Sequence, residues 1–191
     1  MNVDLSPQTA EVARVAAGVR DDQLTGPTPC PDMSVAALLE HLVGLAFAFK
    51  MAAEKTPVDG PPQVDAAHLP ADWRTRLPEH LDALAAAWKD PAAWEGMTAA
   101  GGVDLPGPVA AVVALNEVTV HGWDLAVATG QQYRPDQAAV EACLEMVGDR
   151  SDPSQDPEGL FGPVVPVPDD APRFDRLLGQ TGRDPGWTPS G

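Results

Sequence analysis

Apolar residues return at helical spacing in six stretches of the chain, separated by segments rich in proline, glycine and aspartate. Val12, Val15, Ala16 and Val19 repeat at i, i+3, i+4 and i+7, which predicts a first amphipathic helix ending near Arg20, with Ser6 as N-cap and Pro7 at its first position. Gly26, Pro27, Pro29 and Pro31 interrupt the chain before a second helix, Val35 to Glu54, capped by Ser34 and burying Leu38, Leu42, Leu45 and Phe49. Thr56 to Pro70 reads as a surface connection. Leu77, Leu81, Leu84 and Trp88 mark a third helix, in which Pro78 implies a start or a kink. Pro91 to Pro108 carries Trp94 and the Gly101-Gly102 pair, which suit a short hairpin and forbid a helix. A fourth helix follows from Pro108 to Thr129, stopped by Gly130. Pro135 opens a fifth, with Val140, Cys143, Leu144 and Val147 on one face. Ser151 to Gly159 reads as a polar loop and Leu160 to Pro168 as an extended proline-rich segment against the helices. Asp169 or Asp170 is expected to cap a short last helix carrying Phe174, Leu177 and Leu178, and from Arg183 on the chain reads as a loose tail.

The fourth helix is apolar almost all round, which places it in a core. The face of Ala110, Val113, Val120 and Ala128 nevertheless carries Glu117 and His121, four residues apart and therefore side by side. A buried carboxylate and a buried imidazole both need partners, and a divalent cation would satisfy the two together. The competing reading is a structural pair, or a partly wet end of the helix packing. His41 lies three residues after Leu38 and four before Leu45, so it points with the buried stripe of the second helix and is the natural third ligand.

Two imidazoles and a carboxylate leave part of a metal's coordination sphere open, as catalytic sites do, whereas structural zinc sites are usually closed by four ligands. The donor types suit zinc first, and also nickel, iron or manganese. Asp124, three residues past His121, could accept the imidazole N–H and fix its tautomer; the alternative is an exposed helix-end acid. Cys30 precedes the second helix and could bring a thiol near the metal as nucleophile or fourth ligand; the alternative is a packed loop cysteine. Cys143 reads as a small core residue and Trp123 as a core wedge, and His68 and His80 have no assigned role.

Length and charge narrow the partners. With 191 residues the default is a single domain, residues 1–191. Twenty-eight acids against twelve bases give a formal charge of −16, and the basic residues never form a run, which argues against nucleic acid or an anionic membrane as a partner. The N-terminus lacks the charged and apolar regions of a signal peptide, and the apolar stretch Val35 to Ala53 is interrupted by Glu40, His41 and Lys50. A cytoplasmic location with both cysteines reduced is expected.

Three blocks carry a resemblance to a known family. They are Thr28-Pro29-Cys30-Pro31-Asp32-Met33-Ser34 with Leu38-Leu39-Glu40-His41-Leu42-Val43-Gly44, then Glu117 to Ala126 with Ala128-Thr129-Gly130, and last Phe161-Gly162-Pro163 through Pro172. In these the chain resembles the DinB-like superfamily, in particular its actinobacterial branch related to the metal-binding domain of mycothiol-dependent maleylpyruvate isomerase. The resemblance implies an all-α, up-and-down four-helix bundle with a metal triad falling on His41, Glu117 and His121. It also implies a low-molecular-weight thiol such as mycothiol as cosubstrate, delivered as thiolate to an electrophilic small molecule, with arginines at the mouth holding anionic groups. The isomerase has an additional C-terminal domain where this sequence stops after a short tail, so S-transfer or another metal-dependent reaction is expected as readily as isomerisation. Two other functions fit the residues: a non-catalytic or stress-associated metal-binding protein acting as a homodimer, and a metal-free bundle holding an apolar small molecule.

Overall fold

The computed structural model describes residues 3–31, 33–56, 58, 65–148, 150 and 161–189, and in it the apolar periodicities become six helices. They are α1 (Ser6–Ala17), α2 (Val35–Ala53), α3 (Trp73–Ala87), α4 (Gly107–Ala128), α5 (Gln137–Val147) and α6 (Arg173–Gln180). A two-stranded antiparallel sheet, β1 (Met97–Ala100) with β2 (Val103–Pro106), lies between α3 and α4. The protein is therefore mostly helical with one small sheet, rather than all-α. Gly101 and Gly102 both have positive φ, 61° and 83°, which a two-residue hairpin turn of this hand requires. Thr98 Oγ1 donates to the Ala52 carbonyl at 2.7 Å and fastens the hairpin to the end of α2.

The expected stripes form the core. Leu38, Leu42, Leu45 and Phe49 of α2 and Leu77, Leu81, Leu84 and Trp88 of the α3 segment are all buried, beside Val12, Val15 and Ala16 of α1. The helices α1 and α2 each pack against both α3 and α4, while α1–α2 and α3–α4 are not closely packed pairs. Around the core the order is thus α1, α3, α2, α4, so that of the consecutive pairs among these helices α2 and α3 are the neighbours. The segments joining α1 to α2 and α3 to α4 are long enough to cross the core end. Helix α5 packs on α4, and α6 on α5. Among the described residues α2 is the one helix long and apolar enough to cross a membrane, and most of it is buried in this core.

Several helix ends differ from expectation. Ser34 does cap α2, accepting the Ala37 N–H at 3.2 Å. Ser6 does not cap α1: it lies inside the helix, and its own N–H is held by the Asp4 carboxylate at 2.9 Å. That helix ends at Ala17, where the amides of Gly18 and Val19 turn to the carbonyls of Val15 and Ala16. Helix α3 begins five residues before Pro78, which sits in its interior. Asp136, not Pro135, starts α5, accepting the Ala139 N–H. Neither Asp169 nor Asp170 caps α6, which follows Pro172 directly.

Parts of the Thr56 to Pro70 connection, all of Ser151 to Gly159, and Leu160 lie outside the described residues. Beyond them, the segment from Phe161 to Pro168 forms neither helix nor strand and is tied to α6 by the Val165 N–H on the Gly179 carbonyl, 3.0 Å. A Cβ on Gly179 would come within 2.1 Å of Val167, so only glycine allows this approach.

Candidate metal centre

Helix α2 supplies His41 and α4 supplies Glu117 and His121, one turn apart on one face. Glu117 Oε2 lies 3.5 Å from His41 Nε2 and 3.4 Å from His121 Nε2. The imidazole rings stand edge to face, with centroids 4.8 Å apart and planes at 85°. Both histidines are buried, while Glu117 keeps a partly exposed side chain.

The donor set fits a divalent cation. Charge-assisted N–H···O bonds are usually about 2.7–2.9 Å, shorter than either separation here. Two ligand atoms each about 2.1 Å from a tetrahedral ion lie about 3.4 Å apart, the spacing observed. Among the described residues His41 Nδ1 is buried without a hydrogen-bond partner, and the polar atom nearest its other nitrogen is the Glu117 carboxylate. Burial alone would raise the Glu117 pKa, but interaction with the neighbouring imidazoles of His121 and His41 outweighs it and holds the carboxyl far below the usual range.

Asp124 is wholly buried, which excludes the exposed helix-end alternative. Its Oδ2 accepts from His121 Nδ1 at 3.0 Å, leaving Nε2 of that ring directed at Glu117. Burial pushes the His121 pKa down, but Asp124 and Glu117 more than reverse it and raise it to about 9. Asp124 is met from the other side by Arg183, whose Nη2 and Nε lie 3.1 and 3.4 Å from its two oxygens. Arg183 is itself buried and donates to the Thr181 carbonyl at 2.8 Å. The expectation of a loose tail from Arg183 is therefore wrong at its first residue: a buried carboxylate recruits the guanidinium, and the chain is held there. Nothing local in the sequence marks this, because the pair is 59 residues apart.

A cavity of about 420 Å³ opens beside the triad. Its lining includes Cys30, Asn116, Glu117 and His121, the Phe161–Pro163 segment, and Thr181, Gly182 and Arg183. Cys30 thus faces the site, its Sγ within 4.8 Å of candidate ligand atoms of His121 and Asp124. Among the described residues Arg183 is the one arginine of this lining. Asn116 carries no signal in the sequence, yet it is 2% exposed with a carbonyl oxygen that has no partner among the described residues.

The other candidates lie elsewhere. Cys143 is buried in the core, which pushes its thiol up to about 12, and Trp123 is buried as expected of a wedge. His80 Nδ1 lies 3.1 Å from the Val43 carbonyl, and His68 is exposed beside Asp65. No disulfide is formed.

Comparison with known proteins agrees with this architecture. The chain is 34% identical over 178 residues to an uncharacterized protein found in two strains of Mycobacterium tuberculosis, CDC 1551 and H37Rv, covering 90% of this chain and 91% of the relative. Its fold is similar to the crystal structure of the mycothiol-dependent maleylpyruvate isomerase, at 15% identity and a TM-score of 0.61 over 96% of this chain and 79% of that one. A histidine-to-alanine mutant of that isomerase matches over the same shares at 16% identity and a TM-score of 0.58. Structural similarity therefore extends past α4 into the C-terminal third. Residues 5–126 match a family whose description is the mycothiol maleylpyruvate isomerase N-terminal domain, and the chain belongs to that family.

Proposed function

We propose that the protein binds one divalent metal ion through His41, Glu117 and His121 and uses it to activate a low-molecular-weight thiol of the mycothiol type against an electrophilic small molecule. The observation that carries this is the convergence of three donors, with no fourth grouped with them among the described residues, beside a cavity of about 420 Å³ that Cys30 also lines. Helices α1 to α4, ringed round the core, then form the DinB-like four-helix bundle on which the site is built. Membership in a family described by a mycothiol-dependent isomerase domain supports the thiol and a small-molecule substrate for this chain.

A divalent ion, zinc first among the candidates, supplies a preference for thiolate over thiol when bound. Glu117 contributes the negative charge of the donor set, and the two imidazole nitrogens complete it without filling the open side. Asp124 holds the proton of His121 on Nδ1, so that Nε2 offers its lone pair. The Asn116 carbonyl, without a partner among the described residues at the cavity wall, would accept a donor of the bound thiol or substrate.

Mixing zinc-loaded protein with mycothiol and a panel of electrophiles, isomerisable enones among them, tests the proposal. Conjugation or isomerisation should appear, disappear with chelation, and be lost in Glu117→Ala. Turnover no faster than the thiol alone across the panel would contradict the enzymatic part, leaving metal binding to be judged separately.

A further inference from the structure

The geometry points to Arg183 as a positioning residue: by clamping Asp124 it holds His121 in the orientation and tautomer that binds the metal, and so couples docking of the C-terminal segment to the affinity of the site. This rests on the metal-binding role proposed above for His121, and it concerns a residue outside the triad, in a part of the chain distant from both ligand-bearing helices.

Asp124 has no exposure at all, and a buried carboxylate must be met by donors. It is met from two sides. His121 Nδ1 approaches Oδ2 at 3.0 Å, and Arg183 Nη2 reaches the same oxygen at 3.1 Å, with Nε at 3.4 Å from Oδ1. The guanidinium therefore fixes the plane of the carboxylate that in turn fixes the imidazole. Partners of this kind behind a ligating histidine typically change metal affinity by about 10–100-fold when removed.

Arg183 is placed by backbone that has few alternatives. Its N–H donates to the Leu178 carbonyl at 2.8 Å, closing the end of α6. Gly182 before it has φ +80°, and a Cβ there would lie 2.9 Å from Gly162 Cα, so the chain turns under the Phe161–Pro163 segment through two facing glycines. Arg183 Nη1 is then anchored on the Thr181 carbonyl at 2.8 Å. The same residues wall the cavity, so the segment that roofs the site also holds its histidine.

Coupling between two events is reciprocal. If docking of Arg183 tightens zinc binding by a given factor, zinc must favour docking by that factor. Zinc titration calorimetry on the wild type, Arg183→Met and Arg183→Lys is the test, alongside hydrogen–deuterium exchange at the Thr181 and Arg183 amides with and without zinc. The expected result is a zinc Kd about tenfold weaker in Arg183→Met, at the low end of the range for such partners, with part of the loss restored in Arg183→Lys. In the wild type, zinc should slow exchange at those two amides, a measurement that needs no variant and stands even if Arg183→Met folds poorly. A merely structural arginine would lower the melting temperature of the variant without zinc altering exchange in the wild type. Zinc binding by a folded Arg183→Met equal to that of the wild type, or amide exchange indifferent to zinc, would overturn the coupling and leave the triad standing. A wild type that binds no zinc would overturn both.

Discussion

His121 is held between two carboxylates, Glu117 at its Nε2 and Asp124 at its Nδ1, and this arrangement has a consequence for stability in the metal-free protein. Burial opposes the charged imidazole, but the two carboxylates prevail and raise its pKa from 6.5 to about 9. A group whose folded-state pKa is raised contributes stability that is complete below the unfolded value and is lost as pH climbs through the folded one. Glu117 is shifted the opposite way, so its contribution is present above its usual pKa of 4.5 and is lost only in acid. The melting temperature of metal-free protein should therefore fall as pH is raised from 6.5 past 9, with His121→Gln removing most of that slope. A wild-type profile flat across this window would contradict the pairing. At this scale the sequence was informative where one helix carries both partners. The i, i+4 spacing of Glu117 and His121 and the i, i+3 spacing of Asp124 place all three on neighbouring positions of α4 whatever the tertiary fold. Arg183 was not legible, because its role arises only when the C-terminal segment docks onto α4, and a lone arginine after a glycine carries no pattern.

Helix α4 fits its place through a small residue as much as through its apolar ones. A Cβ at Gly122 would lie 2.5 Å from Val12 Cγ2 on α1 and 2.6 Å from the Tyr133 hydroxyl. That hydroxyl is engaged, donating to the Thr119 carbonyl at 2.7 Å and accepting from Gln8, so it has little freedom to retreat. Gly122→Ala should cost about 1–3 kcal/mol through overpacking, despite the better helix propensity of alanine. Thermal unfolding would register this as a fall of roughly 2–4 °C per kcal/mol for a chain of this size. An unchanged or raised melting temperature would show that α1 and α4 are less tightly apposed than described. The helices themselves were readable because each buries one stripe, and Leu38, Leu42 and Leu45 or Leu77, Leu81 and Leu84 recur at the helical period. Their ends were less so. Ser34 and Ser6 look alike as caps in sequence, but at α1 the Asp4 carboxylate takes the Ser6 N–H and the helix starts one residue earlier. The acids Asp169 and Asp170 stand too far before α6 once Pro172 occupies the position preceding the helix.

Across the whole molecule, the helix faces were visible in the sequence but their neighbours were not. An apolar stripe says that a helix is packed without saying on which helix, so the order α1, α3, α2, α4 around the core emerged only from the fold. That order sets α2 beside α4, and without it His41 would not meet Glu117 and His121. The centre thus joins helices separated in the chain by α3, β1 and β2, and metal binding should cross-brace the core: free zinc at about 100 times its Kd would add about 2.7 kcal/mol of stability. The most direct test is the metal content and zinc affinity of untagged protein beside His121→Ala and His41→Ala. A three-ligand centre predicts one zinc per wild-type chain, with a melting temperature raised by the metal and lowered by chelation, and loss of both effects in each variant. A wild type that takes up no divalent ion, or variants that bind zinc as well as it does, would contradict it.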